Sequence, residues 1–75
     1  MSHTLATRHY ALTADLAPAI RRAKADFLEM PGLRLTAAEG TRLWGLELPE
    51  CEIVLRRLVE MGFLVRTNRA TFSRA

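Results

Sequence analysis

The sequence is poor in the residues from which catalytic, metal and covalent sites are built. It contains one cysteine, Cys51, so a disulfide within the chain is excluded. Its two histidines, His3 and His9, have no cysteine or acidic cluster beside them, and we predict no metal site there. The 75 residues contain no phosphate-binding glycine loop, no zinc-ligand spacing and no nucleophile elbow. We therefore predict a protein that is not an enzyme and uses no cofactor.

Long apolar runs are also absent. No segment approaches the roughly 18 consecutive apolar residues that a membrane-spanning helix needs. The N-terminus does not show a basic region followed by an apolar stretch, so we expect no signal peptide. These features predict a cytoplasmic protein.

The composition indicates one small folded domain with a modest positive charge. Hydrophobic residues make up 49% of the chain, which argues against disorder throughout. A chain of this size buries only about 60% of its unfolded surface, and dimerisation is one way to bury more. Eleven basic residues, ten of them arginine, stand against eight acidic ones, giving a net charge of +3. This excess permits nucleic-acid binding without requiring it, since a GC-rich genome also favours arginine.

The chain divides into an N-terminal arm, residues 1–13, and a domain, residues 14–75. We predict a first helix over Leu16–Glu29, with Asp15 as its N-cap and Pro18 in its first turn, where a missing N–H costs little. Apolar residues recur at helical spacing along one face of this helix. They are Leu16, Ile20, Ala23 and Phe27, with Leu28 beside them. The charged residues that fall largely on the other face are Arg21, Arg22, Lys24 and Asp26.

Two further helices follow a short extended stretch, Leu33–Leu35. Thr36-Ala37-Ala38-Glu39 fits a capping box, which starts a second helix that ends at Gly45. We place a third helix at Pro49–Met61, with Gly62 as its C-terminal stop. Trp44, at the end of the second helix, is expected to pack partly on the core.

The last part of the chain predicts a small hairpin. Phe63–Thr67 is expected to form a strand, Asn68-Arg69 a turn, and Ala70–Ser73 the returning strand. The order is therefore helix, short strand, helix, tight turn, helix, hairpin.

This order and its motifs carry a resemblance to a known family. T-x-x-E-x-x-x-L-x-G-L, then V-L-x-x-L-V-x-x-G-F-L, then a hairpin, resembles the winged helix-turn-helix, with bacterial regulators of the IclR and MarR type most similar. The resemblance covers Thr36–Phe72. It implies an α+β, mainly α fold of three helices with a short C-terminal β-hairpin wing, and a third helix that enters the DNA major groove.

Two positions depart from the family pattern. Where such families place a small alanine against the third helix, this chain has Thr41, next to Gly40. The wing turn, Asn68-Arg69, lacks the usual glycine, which leaves the reach of the wing open.

A helical-wheel projection divides the third helix into two faces. The predicted core face is formed by Cys51, Val54, Leu55 and Leu58, with Val59 at its edge. Cys51 is thus expected to act as a small buried hydrophobe. The opposite face is formed by Ile53, Arg56, Arg57 and Glu60.

The candidate DNA-binding residues come from the exposed face of the third helix, the wing and the second helix. Arginine donates to phosphate and to guanine, isoleucine touches a thymine methyl, and a helix N-terminus with its hydroxyl binds phosphate. The predicted set is Arg34, Thr36, Arg42, Ile53, Arg56, Arg57, Arg66 and Arg69.

Acidic residues at the start of the third helix oppose this assignment. Glu47, Glu50 and Glu52 would repel phosphates, although a carboxylate accepts a hydrogen bond from cytosine. The alternative is that Glu50 and Glu52 only stabilise the positive end of the helix.

Two hypotheses follow. The first is a DNA-binding transcriptional regulator on double-stranded DNA, acting as a homodimer through the first helix and the N-terminal arm. The second is a winged-helix module that binds a protein partner, without DNA, through Ile53 and the acidic segment 47–52.

Overall fold

A computed structural model of the chain describes residues 16–67 and 70–75. In this part of the chain there are three helices and three short strands. In chain order they are α1 (Ala17–Glu29), β1 (Arg34–Thr36), α2 (Ala37–Trp44), α3 (Leu48–Glu60), β2 (Leu64–Arg66) and β3 (Thr71–Arg74). The predicted arm, residues 1–13, lies outside the described residues.

The strands form one antiparallel sheet in the order β1-β3-β2. The predicted hairpin is confirmed, since β2 pairs with β3. β1, expected at Leu33–Leu35, is shifted by one residue and pairs with the other edge of β3, where Leu35 stands opposite Phe72. The pairing of β1 with β3 joins residues far apart in sequence, which local patterns do not specify. The turn predicted at Asn68-Arg69 lies outside the described residues.

Helix α1 begins one residue later than predicted. Leu16 occupies its N-cap without a side-chain hydrogen bond, Pro18 lies in the first turn as expected, and Asp15 lies outside the described residues. Ala23 and Phe27 are fully buried, as the spacing predicts.

The predicted division of α1 into apolar and charged faces is wrong at three positions. Leu28 is 54% exposed rather than packed on the core. Asp26 turns inward, where one of its carboxylate oxygens accepts a 2.8 Å hydrogen bond from Nε1 of Trp44. Nζ of Lys24 lies 5.3 Å from the ring centre of Phe63. Asp26 and Lys24 contact Trp44 and Phe63, which come from other elements of the fold, so the pattern within α1 does not predict these contacts.

Helix α2 has both predicted ends. Oγ1 of Thr36 accepts from the N–H of Glu39 at 3.2 Å, and the Glu39 carboxylate accepts from the N–H of Thr36 at 2.8 Å, which confirms the capping box. Gly45 ends the helix with φ +65°, a left-handed conformation that glycine adopts without a Cβ penalty.

Gly40 is the small residue that lets α2 pack closely against α3. Position 41, where the family pattern has a small alanine, does not have this role. A Cβ at Gly40 would lie 2.6 Å from Sγ of Cys51 and 2.8 Å from the Trp44 ring. Gly40 is buried and Thr41 is half-exposed. Trp44 is 5% exposed and its ring centre lies 6.3 Å from that of Phe27, so its packing on the core is confirmed and is more complete than expected.

Helix α3 runs one residue earlier than predicted at both ends, and Gly62 follows it with φ +78°. The predicted core face is confirmed, since its four residues have no exposed surface. They are Cys51, Val54, Leu55 and Leu58. The inner face of the sheet adds Leu35, Leu64 and Phe72 to this core.

The resulting fold is α+β and mainly helical, with three helices and a three-stranded antiparallel sheet in an arrangement compatible with a winged helix-turn-helix. Among the described helices, none combines the length and the apolar character needed to cross a membrane.

Candidate functional site

A groove of about 520 Å³ lies between the start of α2, one side of α3 and the hairpin. We call it the wing groove. Its walls combine apolar side chains with two arginines and one glutamate. The residues lining it are Thr36, Ala37, Ala38, Leu48, Glu52, Arg56, Val59, Arg66, Ala70 and Phe72.

Helix α3 contributes to the wing groove a side that lies between the two faces predicted for it. Glu52, Arg56 and Val59 follow one another at spacings of four and three residues, so they form a stripe next to the core face. Arg57 is rotated by about 100° from Arg56 around the helix axis, and it does not line the wing groove. The two neighbouring arginines therefore do not form one patch.

The hairpin contributes Arg66 because of the strand register. Arg66 stands opposite the buried Phe72, so both side chains lie on the sheet face that is turned towards the helices. Arg34 precedes the buried Leu35 and stands opposite Ser73, which places its side chain on the other face of the sheet. Register thus separates two arginines that the sequence assigns to one site.

The third wall is the start of α2. In the capping box the Thr36 hydroxyl oxygen accepts from the N–H of Glu39, and its O–H can still donate to a ligand. The N–H groups of Ala37 and Ala38, in the first turn, have no acceptor within an α-helix and lie beside the groove.

The acidic residues at the start of α3 divide between two roles. The Glu50 carboxylate accepts a 2.9 Å hydrogen bond from the N–H of Glu47, which stabilises the helix start as the alternative interpretation proposes. Glu52 instead lines the wing groove, four residues before Arg56. One carboxylate, and not three, therefore faces the two groove arginines.

Cys51 lies directly behind this surface, in the core. Burial, followed by the negative charge of Glu52, raises the pKa of its thiol from the ordinary 9.0 to about 11. With no exposed surface and no thiolate near neutral pH, Cys51 has the properties of a packing residue. Within residues 16–67 and 70–75, no three His, Cys, Asp or Glu side chains are grouped to hold a metal ion.

The wing groove brings together three of the eight predicted residues: Thr36, Arg56 and Arg66. Ile53 is half-buried, while Arg42 and Arg57 are exposed elsewhere. Arg69 lies outside the described residues.

The structure also adds residues to the site that the sequence did not indicate. Leu48, 46% exposed, and the half-buried Val59 give the groove an apolar part. Leu48 lies four residues before Glu52 and Val59 three residues after Arg56, and this helical spacing is a signal in the sequence that places all four on one stripe of α3. The guanidinium carbon of Arg74, on β3, is stacked 4.4 Å from the ring centre of Phe63.

Comparisons of the chain with models of protein families, with curated proteins and with solved structures found no match.

Proposed function

We propose that this chain is a DNA-binding winged-helix module, resembling the small bacterial regulators of the IclR and MarR type, that serves as a cytoplasmic transcriptional regulator. The observation that carries the proposal is the position of Arg56 and Arg66. One arginine comes from α3 and the other from the hairpin, and both line the wing groove beside the first turn of α2. A phosphate-bearing backbone in this groove meets two guanidinium groups and the N–H groups of a helix start.

The arrangement favours backbone contacts over a dense set of base contacts. Arg56 and Arg66 approach the groove from opposite sides, as expected for groups that hold a strand in place. Arg57 and the half-buried Ile53 lie further round α3, where they remain the candidates for contacts to base edges.

Titration of the full chain with a fluorescent duplex at several salt concentrations tests the proposal. Affinity should fall steeply as salt rises, because each phosphate contact releases counterions. Arg56→Ala and Arg66→Ala should each weaken binding to every duplex and reduce the slope of log K against log salt by about 1. Arg34→Ala removes the same charge from the other face of the sheet and should have a clearly smaller effect.

Two outcomes would contradict the assignment. Absence of duplex binding at low salt would exclude DNA as the ligand. Equal losses for Arg34→Ala, Arg56→Ala and Arg66→Ala would show that only overall charge matters and that the wing groove is not the site.

A second candidate function, binding of a protein segment, is favoured by the composition of the groove. Leu48, Val59 and Phe72 give it apolar contact area, and Glu52 places a negative charge beside Arg56. A protein recovered in stoichiometric complex with the chain would support this function, provided that Leu48→Ser abolishes the complex and no duplex binds at low salt.

A further inference from the structure

The outer side of α1 has no packing partner in the described part of the chain. It lies opposite Ala23 and Phe27, which face the core, and every residue along it is exposed. These residues are Pro18, Arg21, Arg22, Ala25, Leu28 and Glu29. We call this surface the outer face of α1.

The charges on the outer face are ordered along the helix. Arg21 lies four residues before Ala25, and Glu29 lies four residues after it, so each is displaced from Ala25 by about 6 Å along the axis, in opposite directions. A two-fold axis that passes beside Ala25, perpendicular to the helix, therefore places Arg21 of one copy at the level of Glu29 of the other. A surface with this pattern is complementary to a second copy of itself in one orientation.

We propose that two copies of this chain associate through the outer faces of α1, packed antiparallel about a two-fold axis beside Ala25. In this arrangement Arg21 of each copy lies level with Glu29 of the other, which forms two equivalent ion pairs. A parallel arrangement would instead place Arg21 against Arg21 and Glu29 against Glu29, and like charges facing one another oppose association.

Side-chain size and exposed apolar surface agree with the same geometry. Ala25, at the crossing point, lets the helix axes approach to the 8–10 Å typical of packed helices. Leu28, 54% exposed in the single chain, lies three residues after Ala25 and about 60° from it around the helix axis. A two-fold axis beside Ala25 therefore brings the two Leu28 side chains to the same edge of the contact and the two Arg22 side chains to the opposite edge. Association thus covers the two exposed leucines with one another, while the guanidinium groups of Arg22 stay in water at the other edge.

The wing groove stays free in this dimer, because none of its lining residues belongs to α1. The proposal does not depend on DNA binding and is tested without DNA. The outer face of α1 is thus the proposed interface of the homodimer that the sequence analysis predicts through the first helix. The arm, residues 1–13, was predicted to contribute as well and lies outside the described residues.

Sedimentation velocity of the full chain over a concentration series measures the association. The native chain should form a dimer whose population rises with concentration. Arg21→Glu and Glu29→Arg each create two like-charge contacts, and each should raise the dimer dissociation constant at least about tenfold. Glu60→Arg, the same charge change at the end of α3, should leave the dissociation constant unchanged.

Rescue separates this geometry from a general effect of charge. An equimolar mixture of the Arg21→Glu and Glu29→Arg chains should form a heterodimer, because both of its pairs are again attractive. The double variant Arg21→Glu/Glu29→Arg should recover the homodimer. Circular dichroism confirms that each variant is folded.

Three results would overturn the proposal. They are a native chain that stays monomeric at every concentration, a dimer that neither α1 variant weakens, and weakened variants that neither mixing nor the double substitution rescues. Duplex titration of the monomeric variants then reports separately on the wing groove, so failure of the dimer and failure of DNA binding are distinguishable.

Discussion

At the scale of single residues, Gly40 and Cys51 form the contact between α2 and α3. An added Cβ at Gly40 would meet Sγ of Cys51 at 2.6 Å and the ring of Trp44 at 2.8 Å, both inside van der Waals contact. In an exposed helix, replacing glycine with alanine gains up to about 1 kcal/mol. Here the added methyl has no space, so packing and helix propensity act in opposite directions.

We expect packing to dominate at this position. Gly40→Ala should lower the free energy of unfolding by roughly 1–2 kcal/mol net, since overpacking a core costs about 1–3 kcal/mol. Urea unfolding followed by the fluorescence of Trp44 measures the change. Gly32→Ala is the matched control, because a Cβ there meets nothing within 4 Å, and it should be close to neutral.

A double-mutant cycle identifies the cause. Cys51→Ala should cost less in the Gly40→Ala background than in the native chain, because it removes one of the two atoms that the new methyl meets. Strictly additive changes would show that the two residues do not compete for the same space.

The buried thiol of Cys51 makes stability depend on pH in alkaline solution. Its pKa is about 11 in the folded chain against 9.0 ordinarily, so between these values the unfolded chain releases the proton and the folded chain retains it. The thiol therefore contributes its full stability below pH 9 and loses it as the pH rises towards 11.

Relative to Cys51→Ala, the native chain should lose about 1 kcal/mol of unfolding free energy between about pH 8 and about pH 10. Urea unfolding of both chains at the two pH values gives this difference, and groups common to both chains cancel. Parallel pH profiles would mean that the thiol ionises equally well in the folded and unfolded states.

At the scale of the elements, a side-chain hydrogen bond links α1 to α2. Nε1 of Trp44 donates to Asp26 at 2.8 Å, at the edge of the core where the indole is almost fully buried. A carboxylate acceptor strengthens such a bond, and an indole N–H without a partner at this depth is costly. The bond also explains why a charged residue of α1 faces inward.

Asp26→Ala should therefore destabilise the chain by about 1–2 kcal/mol. Asp26→Asn keeps an oxygen acceptor and should lose less, which separates the hydrogen bond from the charge. Thermal unfolding by circular dichroism compares the three chains. Equal losses of stability for both variants would show that the negative charge of Asp26, and not its oxygen acceptor, stabilises the contact with Trp44.

At the scale of the whole molecule, net charge says little about the surface that would meet DNA. The excess of +3 is spread over several faces, and Arg34, Arg57 and the outer face of α1 lie outside the wing groove. Inside the groove, Arg56 and Arg66 are opposed by Glu52. This carboxylate should limit the affinity for any phosphate-bearing ligand.

Glu52→Gln should therefore tighten binding to duplexes of different sequence by a factor of about two to five, since it removes a negative charge close to the phosphates. Anisotropy titrations at fixed low salt measure the effect. Glu60→Gln makes the same change outside the groove and should shift the affinity less. Weaker binding, restricted to particular sequences, would show that Glu52 instead accepts a hydrogen bond from a base.

The sequence by itself determined the three helices, the hairpin and the core face of α3. These features depend on residues that are close together in the sequence, so the sequence alone predicts them. They are the capping box at Thr36, the left-handed glycines Gly45 and Gly62, and the helical period of α3. For the same reason helix ends were predicted to within one residue, and the core face of α3 was predicted correctly.

The tertiary structure decided which side chains share a surface. Strand register sends Arg66 towards the helices and Arg34 away from them, and the close approach of two helices selects Gly40 over Thr41 as the small residue. The strand register and the helix contact both depend on elements that are distant in the chain. A shift of one residue in register would move each side chain of the strand to the other face of the sheet. The residues from Thr36 to Phe72 thus specify an architecture locally, whereas the groove exists only once β3 lies between β1 and β2.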